Sequence, residues 1–495
     1  MIDPKSGEVY VISDRFGYHP VFTYRADDVE RCIVASFPDA IAGDPAASVS
    51  RDEVSVAEFL SAWRVTPPNT YYREIKHIGA ATRGTWNLRT GSFERSEYWR
   101  PYETEHYRNI EEAAEELAAA VSAAVRIRTL DRLAPVVSFT SGGMDSRAVL
   151  FSAARPANVV GLNLYDVENR EAAIAKRLCD AAGCRYVGFA RDDDYYPRWL
   201  PEGVRVSGGM WSAEDNHFIG MRELVRGLGA RTVITACTTD WLFKGYGLEQ
   251  RYLRLFGRNL PLKTLTSQRV DGFLPNVPRP VPAAYAHEVT ARREEWFAGT
   301  PVHLTEDRDW LLVEDRRIRP ACYTVSVSGQ VMYRAFPYDT FLADIRVSDC
   351  YSRMRAEWKI NSEVWGRVVR SLAKRGGEIE DANFGWRVGA GRTAKLARFA
   401  AGWIGRRIPG RRRTPTDGLS TDGSWPNLAW YLDHSSSLRE QWETTSHETR
   451  SLVSAAWGAN PWDRDCREWA PQPNDFFRLL TVARHLDGTR AATRP

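Results

Sequence analysis

The chain has 495 residues, of which 26% are charged, and a formal net charge of +4. That length is enough for two or three domains, and so small a net charge gives no reason to expect nucleic acid or an anionic membrane as a partner. The sequence has no run of 18 apolar residues, no secretory signal and no CxxC pair among its seven cysteines. These features favour a cytoplasmic protein with reduced thiols over a membrane, secreted or zinc-binding protein.

The first part of the chain is predicted to be mostly β-structure. Three segments within residues 7–37 have the alternation of strands, and the sequence DRFG between the first two is typical of a hairpin connection. A short helix is predicted at 56–63, and strand and turn residues return up to SEYW at 96–99.

From residue 109 onward, helices and strands alternate. Asn109 and Glu112 have the spacing of a capping box, and apolar residues recur behind them at helical spacing. The segments that follow are predicted as strands at 135–140, 158–165, 184–190 and 230–237, with helices at 169–183 and 212–228. Such alternation is typical of an α/β fold with a parallel, doubly wound sheet.

Beyond residue 250 the strand pattern fades, and a helical C-terminal part is predicted. Its helices are expected at 286–298, 362–374, 393–404, 435–457 and 474–486. The proline-rich segment 275–282 is predicted to be a loop. The run Arg406–Arg413 contains five arginines and is interpreted as a solvated loop or as a contact for an anionic partner.

The strongest chemical signal is the sequence Ser141-Gly142-Gly143-Met144-Asp145-Ser146, which follows the first strand of the alternating part and opens a helix. A glycine turn at a helix N-terminus presents free backbone N–H groups and the positive end of the helix dipole, and both favour phosphate. Asp145 would repel a bare phosphate, so a Mg²⁺ ion is expected between them. The sequence is not a Walker A loop, because no Gly-Lys-Ser/Thr follows at the required spacing.

This loop resembles the pyrophosphate loop of the N-type ATP pyrophosphatases. The segment VITACTTDWLFKGYG at 233–247 also resembles the asparagine synthetase stretch in which a strand leads into Gly-Glu-Gly-x-Asp-Glu. The resemblance implies an adenine nucleotide α-hydrolase-like fold, and ATP and Mg²⁺ as cofactors. It implies that residues 141–146 hold the phosphates, that Asp145 and Asp240 share the metal, and that Leu162, Asn163 and Thr238 contact the rest of the nucleotide.

Two positions depart from the asparagine synthetase pattern. Cys237 replaces a glutamate that would contact the acyl intermediate, and Trp241 replaces the glutamate after the metal aspartate. The acyl substrate is therefore predicted not to be plain aspartate.

Two further segments resemble parts of the same family. Phe336-Pro337-Tyr338-Asp339 is similar to an element near the synthetase site, and WKINSEVWGRVVRSL at 358–372 resembles the helix that carries the catalytic lysine. Lys359 and Lys244 are the candidates for neutralising charge on the adenylate.

The N-terminal part resembles the closing strands of a glutaminase domain, which implies a small, mostly-β remnant of an Ntn-hydrolase-like domain. That chemistry needs an N-terminal cysteine, whereas this chain begins Met1-Ile2-Asp3. No glutaminase activity is expected unless the start site is misassigned. The predicted domains are residues 1–105, a synthetase domain at 106–375 and a helical C-terminal extension at 376–495.

These features predict an ATP-dependent ligase that forms AMP and diphosphate, adenylates a carboxylate and makes an amide bond. The expected partners are a small-molecule or peptide carboxylate, an amine or ammonia, and optionally a separate glutaminase. Intermolecular and intramolecular amide formation both stay open. The alternatives are a tRNA-modifying or other ATP pyrophosphatase, disfavoured by the glutaminase-like front, and a non-catalytic scaffold, disfavoured by the intact loop and Asp240.

Overall fold

The computed structural model describes most of the chain. It covers residues 1–25, 32–99, 106–215, 217–245, 248, 250–255, 257–265, 279–298, 328–383, 385–405 and 423–493. The basic run Arg406–Arg413 lies outside the described residues, as does the first part of the predicted proline-rich loop.

The strands of the described part belong to four sheets. In chain order they are Ile2–Asp3 (β1), Glu8–Ile12 (β2), Phe22–Arg25 (β3), Cys32–Ala35 (β4), Ile75–His77 (β5), Thr82–Asn87 (β6), Phe93–Glu97 (β7), Val136–Phe139 (β8), Val159–Tyr165 (β9), Arg185–Ala190 (β10), Thr232–Ile234 (β11), Gln250–Leu255 (β12), Arg258–Leu265 (β13) and Tyr338–Asp339 (β14).

The helices surround these sheets and make up most of the C-terminal part. In chain order they are Pro38–Ala42 (α1), Glu53–Ala62 (α2), Ile110–Arg128 (α3), Met144–Ser152 (α4), Arg170–Ala182 (α5), Tyr195–Ser207 (α6), Arg222–Gly227 (α7), Thr239–Phe243 (α8), Ala283–Ala298 (α9), Ile345–Ser352 (α10), Glu363–Leu372 (α11), Arg392–Gly405 (α12), Leu428–His434 (α13), Ser436–Glu443 (α14), His447–Trp457 (α15) and Pro473–Thr493 (α16).

The central sheet has five strands in the order β10-β9-β8-β11-β14, and each neighbouring pair is parallel. Successive residues of a strand point to opposite faces, and both faces of this sheet are covered. Val136 packs into one core with Leu117 of α3, whereas Val137 packs into another with Val225 of α7. Burial on both faces explains the nearly continuous apolar run of β9, which is typical of parallel strands. The predicted α/β fold is confirmed at this level.

Several element predictions are wrong in detail. The segment DRFG does not connect a hairpin, because β2 pairs with β1 and β6 while β3 pairs with β4 and β5 in another sheet. Beyond residue 250 the strand signal does not end, since β12 and β13 form an antiparallel pair. The side chains of β12 are largely exposed and the described ones of β13 are mostly half-buried, so no buried alternation marked either strand in the sequence.

The predicted helix at 212–228 is also wrong over its first half. The chain there forms two 3₁₀ turns, Ala213–Asp215 and Ile219–Met221, before α7 begins. The helix α6 was missed altogether because Pro197 and Pro201 interrupt its apolar pattern. The predicted helix at 435–457 is two helices, since Ser446 caps a new one by accepting a hydrogen bond from the Thr449 N–H.

The three predicted segments of the chain share cores. Tyr18 from the N-terminal part joins the core of α3, and Phe59 of α2 packs in one cluster with Tyr431 of α13 and Phe477 of α16. The predicted boundaries near residues 105 and 375 stay predictions, and the packing extends across both.

Two predictions from composition can be compared with the described residues. The six cysteines within them are free thiols, in agreement with the absence of a disulfide framework. Among the described helices, none combines the length and the apolar composition needed to cross a bilayer. The predicted cytoplasmic location stays a prediction.

Candidate active site

The predicted phosphate loop connects the end of β8 to the start of α4, as the sequence indicated. Gly142 has φ +74°, and Gly143 is the residue that precedes the helix. A Cβ atom on Gly142 would lie 3.0 Å from Ile174 and 3.2 Å from Ala382, so this position requires glycine for both conformation and space. The first N–H groups of α4 have no partner within the helix and are available to an anion.

Arg147, which the sequence analysis did not single out, fixes the loop from behind. Its side chain is fully buried and donates hydrogen bonds to the carbonyl oxygens of Gly142, Gly376 and Ile379 at 3.2, 3.1 and 2.7 Å. Burial lowers the pKa of this guanidinium to about 10, which still leaves it charged at neutral pH. The loop is therefore attached to the segment around residue 379 by charge-assisted hydrogen bonds.

Asp145 and Asp240, the predicted metal ligands, converge on the ammonium of Lys244. Lys244 Nζ lies 2.7 Å from Asp145 Oδ2 and 2.5 Å from Asp240 Oδ1. Asp240 lies in α8, and Lys244 is the residue that ends this helix. The two are four residues apart, which places their side chains on one face of the helix. The structure therefore brings one of the two candidate lysines to the loop.

The charges of this cluster affect one another strongly. Burial raises the pKa of the Asp145 carboxyl, against the opposing effect of Lys244. Burial alone would lower the pKa of Lys244, but the two carboxylates raise it above its ordinary value and keep the ammonium protonated. Two carboxylates and one ammonium leave a single negative charge when all three groups are ionised.

The residues present do not fit a magnesium ion held jointly by both carboxylates, because Lys244 lies at their meeting point. A shared Mg²⁺ would need that position and further oxygen ligands in octahedral arrangement. In this arrangement the ammonium supplies positive charge between the two carboxylates, and the assignment of Asp145 and Asp240 as metal ligands stays a prediction.

Trp365 is a second residue that the sequence analysis missed. It lies on α11, is fully buried, and donates a 2.8 Å hydrogen bond from Nε1 to Asp145 Oδ1. Its ring stacks on Phe243 of α8 at 5.6 Å between centroids. The segment 358–372, in which a catalytic lysine was predicted, thus contributes a tryptophan to the loop.

Lys359, the other candidate lysine, is absent from the described residues that line the site. It is fully buried in the 3₁₀ segment Ala356–Ser362, and its ammonium lies 4.0 Å from the centre of the Tyr351 ring. A lysine held on an aromatic ring in the core is typical of a structural cation–π contact.

A cavity of about 350 Å³ opens above the loop. Its walls include Ser141, Asp145 and Ser146 from the loop, and the predicted nucleotide contacts Leu162, Asn163 and Thr238, as well as Asp240. Gly142, Gly143 and Met144 belong to the loop below it. The carboxyl ends of parallel strands are where open α/β sheets bind ligands, and β8, β9 and β11 all end at this cavity.

Two of the predicted nucleotide contacts have unusual surroundings. Asn163 is 2% exposed and donates from Nδ2 to the Thr140 carbonyl at 2.8 Å, while its Oδ1 has no hydrogen-bond partner among the described residues. Thr238 has φ +92°, rare for a residue with a side chain, and its hydroxyl lies 2.5 Å from that of Tyr18. The N-terminal part of the chain therefore supports the site directly.

The element Phe336–Asp339 lies beside the cavity, as its resemblance implied. Tyr338 pairs with Val233 in the sheet, and its hydroxyl lies 3.0 Å from that of Thr235. Asp339 forms an ion pair with Arg128 at 3.1 Å, so its role in this structure is to join β14 to α3.

The far wall of the cavity is aromatic and was not predicted. It comes from Trp211, His217 and Phe218, which lie on either side of the 3₁₀ turn Ala213–Asp215 and its continuation, and from Phe139 and Trp425. Sequence periodicity could not reveal it, because the 3₁₀ turns described there are too short to give a repeating pattern; the dense aromatic residues were the available signal.

Cys237 faces the cavity from the end of β11 and is exposed to it, although protein surrounds the cavity. Burial, with the nearby Asp240, Asp145 and Asp215, raises the pKa of this thiol to about 12. The side chain is therefore a neutral thiol at physiological pH and supplies no negative charge.

With this geometry in place, the chain was compared with known proteins. A family model described as Asparagine synthase matches residues 116–334, which include the loop, Asp240 and Lys244. Over these residues the chain is similar to the asparagine synthetase family. The domain indicates an enzyme of the ligase type that uses ATP, with amide ligase activity in general terms. No curated protein matches the chain.

Proposed function

We propose that the protein adenylates a carboxylate with ATP, releases diphosphate, and passes the acyl group to a nitrogen nucleophile. The observation that carries the proposal is the glycine loop at the end of β8, which lies beside the Asp145–Lys244–Asp240 cluster in a domain of the asparagine synthetase family. The same cavity has room above the loop for an organic substrate.

The chain's own residues would supply positioning and charge. The N–H groups of Gly143, Met144 and Asp145 at the start of α4 would hold phosphate oxygens. Lys244 would neutralise the negative charge that develops on the diphosphate as the bond to the α-phosphate breaks, while the two carboxylates keep its ammonium in place. Enclosure of the cavity by aromatic side chains would exclude water from the acyl-adenylate.

The finer parts of the prediction belong to the same proposal. The strand order β10-β9-β8-β11-β14, with helices on both faces, supports a doubly wound sheet of the adenine nucleotide α-hydrolase kind. The acyl substrate is proposed not to be plain aspartate, and the nitrogen to come from an amine or from ammonia. The N-terminal sheets are proposed to belong to an Ntn-hydrolase-like domain.

The test is to identify the products of ATP turnover. The purified full chain is incubated with ATP, Mg²⁺ and a panel of small-molecule and peptide carboxylates, with hydroxylamine to trap an acyl-adenylate as a hydroxamate. AMP and diphosphate are expected, dependent on one carboxylate. In Asp145→Asn the rate should fall by about a hundredfold, whereas Asp180→Asn, an exposed aspartate on α5, serves as the matched control.

Three results would contradict the proposal in different ways. ADP and phosphate as products would exclude adenylation. Diphosphate that depends on added tRNA and not on a carboxylate would favour a tRNA-modifying ATP pyrophosphatase. Failure to bind ATP at all, measured by equilibrium dialysis, would favour a non-catalytic scaffold.

A further inference from the structure

The aromatic side of the cavity carries one carboxylate for which the described residues provide no partner. The acidic residues that line the cavity are Asp145, Asp215 and Asp240, and among its described lining residues none is lysine or arginine. Asp145 and Asp240 share Lys244. Asp215 has no hydrogen-bond or ion-pair partner for its carboxylate within the described part of the chain.

Local structure sets the direction of Asp215. The turn Ala213–Asp215 is closed by the Asp215 N–H, which donates to the Ser212 carbonyl at 3.0 Å. Glu214 is buried behind the wall and accepts a hydrogen bond from the Ser212 hydroxyl. The two adjacent acids therefore differ, because Glu214 is held within the protein whereas Asp215 lies at the cavity.

The surroundings of Asp215 are apolar and aromatic. Phe218 stacks on Phe139 at 4.2 Å between ring centroids, and His217 packs edge-on against Trp425 at 4.7 Å. Burial lowers the pKa of His217 to about 3, so its ring is neutral. A carboxylate in such a setting is costly unless a cation pairs with it, and aromatic faces add to the attraction for a cation.

One buried polar atom in the same cavity points independently to a ligand with an N–H group. The Oδ1 atom of Asn163, a hydrogen-bond acceptor, lacks a partner among the described residues. Asn163 is 2% exposed, so solvent contact does not account for its free acceptor.

We propose that this side of the cavity receives the nitrogen nucleophile as the ammonium group of an apolar or aromatic molecule, and that Asp215 binds that ammonium and accepts its proton. This inference rests on the proposed amide ligase function and names the acceptor class for it. Cys237 is a neutral thiol on the same cavity, at the position where the family pattern has a glutamate, so Asp215 supplies a carboxylate from a different element.

The step is balanced without any further reagent. The ammonium R–NH₃⁺ gives one proton to the Asp215 carboxylate, and the freed lone pair attacks the carbonyl carbon of the acyl-adenylate. The new C–N bond forms as the C–O bond to the phosphate of AMP breaks, and AMP leaves with that electron pair. The second proton of the nitrogen passes to AMP or to water, and Asp215 returns its proton to solvent.

The test measures binding of amine probes to the full chain by quenching of tryptophan fluorescence, since Trp211, Trp241 and Trp425 line the cavity. The probes are 2-phenylethylamine, its anionic counterpart phenylacetate, and L-phenylalaninamide, which mimics the N-terminus of a peptide. Wild type, Asp215→Asn, Asp215→Glu and the surface control Asp180→Asn are compared, and the folding of each is checked by thermal unfolding.

Wild type is expected to bind 2-phenylethylamine about tenfold or more tightly than phenylacetate, as a charge-assisted hydrogen bond would give. Asp215→Asn should remove this preference, Asp215→Glu should restore part of it, and Asp180→Asn should keep it. Tighter binding of L-phenylalaninamide would assign a peptide N-terminus, and tighter binding of 2-phenylethylamine a simple amine.

The proposal is overturned if phenylacetate binds as tightly as the amine, if the amine does not bind, or if Asp215→Asn leaves the ratio unchanged. ATP binding by the wild-type protein is measured separately. Its absence would contradict the proposed function, whereas intact ATP binding without amine preference would contradict this inference alone.

Discussion

Lys244 donates a 2.7 Å hydrogen bond to Asp145, a residue that lies 99 positions earlier in the chain. The same ammonium contacts Asp240 on its own helix at 2.5 Å. Lys244 therefore joins the segment that follows β8 to the segment that follows β11. These two segments form the floor of the cavity. An internal cation therefore holds together two carboxylates that would otherwise repel each other.

Replacement of Lys244 by methionine is expected to create a metal site. Methionine keeps most of the length of the side chain but leaves Asp145 and Asp240 facing each other without a counter-charge. A divalent cation would then relieve their repulsion. Binding of Mn²⁺ without nucleotide, followed by electron paramagnetic resonance, should be about tenfold or more tighter in Lys244→Met than in wild type.

The double variant Lys244→Met with Asp240→Asn provides the control for this metal site. It should lose the gained affinity, because one of the two carboxylates is removed. If wild type already binds Mn²⁺ as tightly as Lys244→Met, and Asp145→Asn abolishes that binding, Lys244 does not exclude a metal and the shared-magnesium prediction is restored.

Replacement of Trp365 by phenylalanine should weaken catalysis more than folding. The change removes the Nε1 donor to Asp145 but keeps an aromatic ring against Phe243. We expect diphosphate formation to fall by about tenfold, since one hydrogen bond to a charged group is lost. Trp358→Phe is a useful control, because Trp358 packs against the same core without contacting Asp145. Equal losses in both variants would assign Trp365 to packing alone.

Sequence reasoning located parts of the candidate site where the signal is local, while the roles of these residues stay predictions. The loop at 141–146 is contiguous, follows a strand and begins a helix, so six adjacent residues contained the whole signal. Asp240 was found in the same way, through a segment that follows another strand of the sheet.

The rest of the site is built from contacts distant in sequence, which a single sequence does not reveal. Arg147 reaches the carbonyl of Gly376, and Trp365 reaches Asp145 across 220 positions. Lys359 is a related case: the segment offered both a lysine and a tryptophan, and only tertiary packing determines which of them faces the loop, so a catalytic role of Lys359 stays a prediction.

Replacement of Gly142 by alanine should impair nucleotide binding, and Gly229 offers a matched comparison. The φ angles of Gly142 and Gly229 are similar, at +74° and +67°. An added Cβ atom would contact neighbouring atoms at Gly142, whereas it would meet open space at Gly229. Both variants should lose about 1–2 kcal/mol of stability from backbone strain. Only Gly142→Ala should also lower ATP affinity, by about tenfold in equilibrium dialysis, because Ile174 and Ala382 would displace the loop. Equal ATP affinity in the two variants would show that the loop tolerates the methyl group.

Replacement of Asp215 by asparagine should stabilise the protein at high pH while it weakens amine binding. Burial raises the pKa of the Asp215 carboxyl. Burial also raises the pKa of the adjacent Glu214, and the charge of Asp215 raises the pKa of Glu214 further. The other titratable groups nearby are His217, which is neutral, and the Cys237 thiol. A carboxyl whose folded-state pKa lies above its unfolded value contributes stability that is complete at pH values below the unfolded pKa. That contribution is lost as the pH rises through the folded-state pKa.

The stabilisation by Asp215→Asn should therefore depend on pH. Near pH 4 the melting temperatures of variant and wild type should agree, since the carboxyl is protonated in the folded protein. At pH 8 the variant should melt about 2–4 °C higher, because the amide carries no charge to desolvate. Differential scanning fluorimetry from pH 4 to pH 8 measures this difference, with Asp180→Asn as the exposed control that should show none. A difference that is constant with pH, or a variant that is less stable at pH 8, would mean that the Asp215 carboxylate already has a stabilising partner in the folded protein and is not held ready for an incoming ammonium.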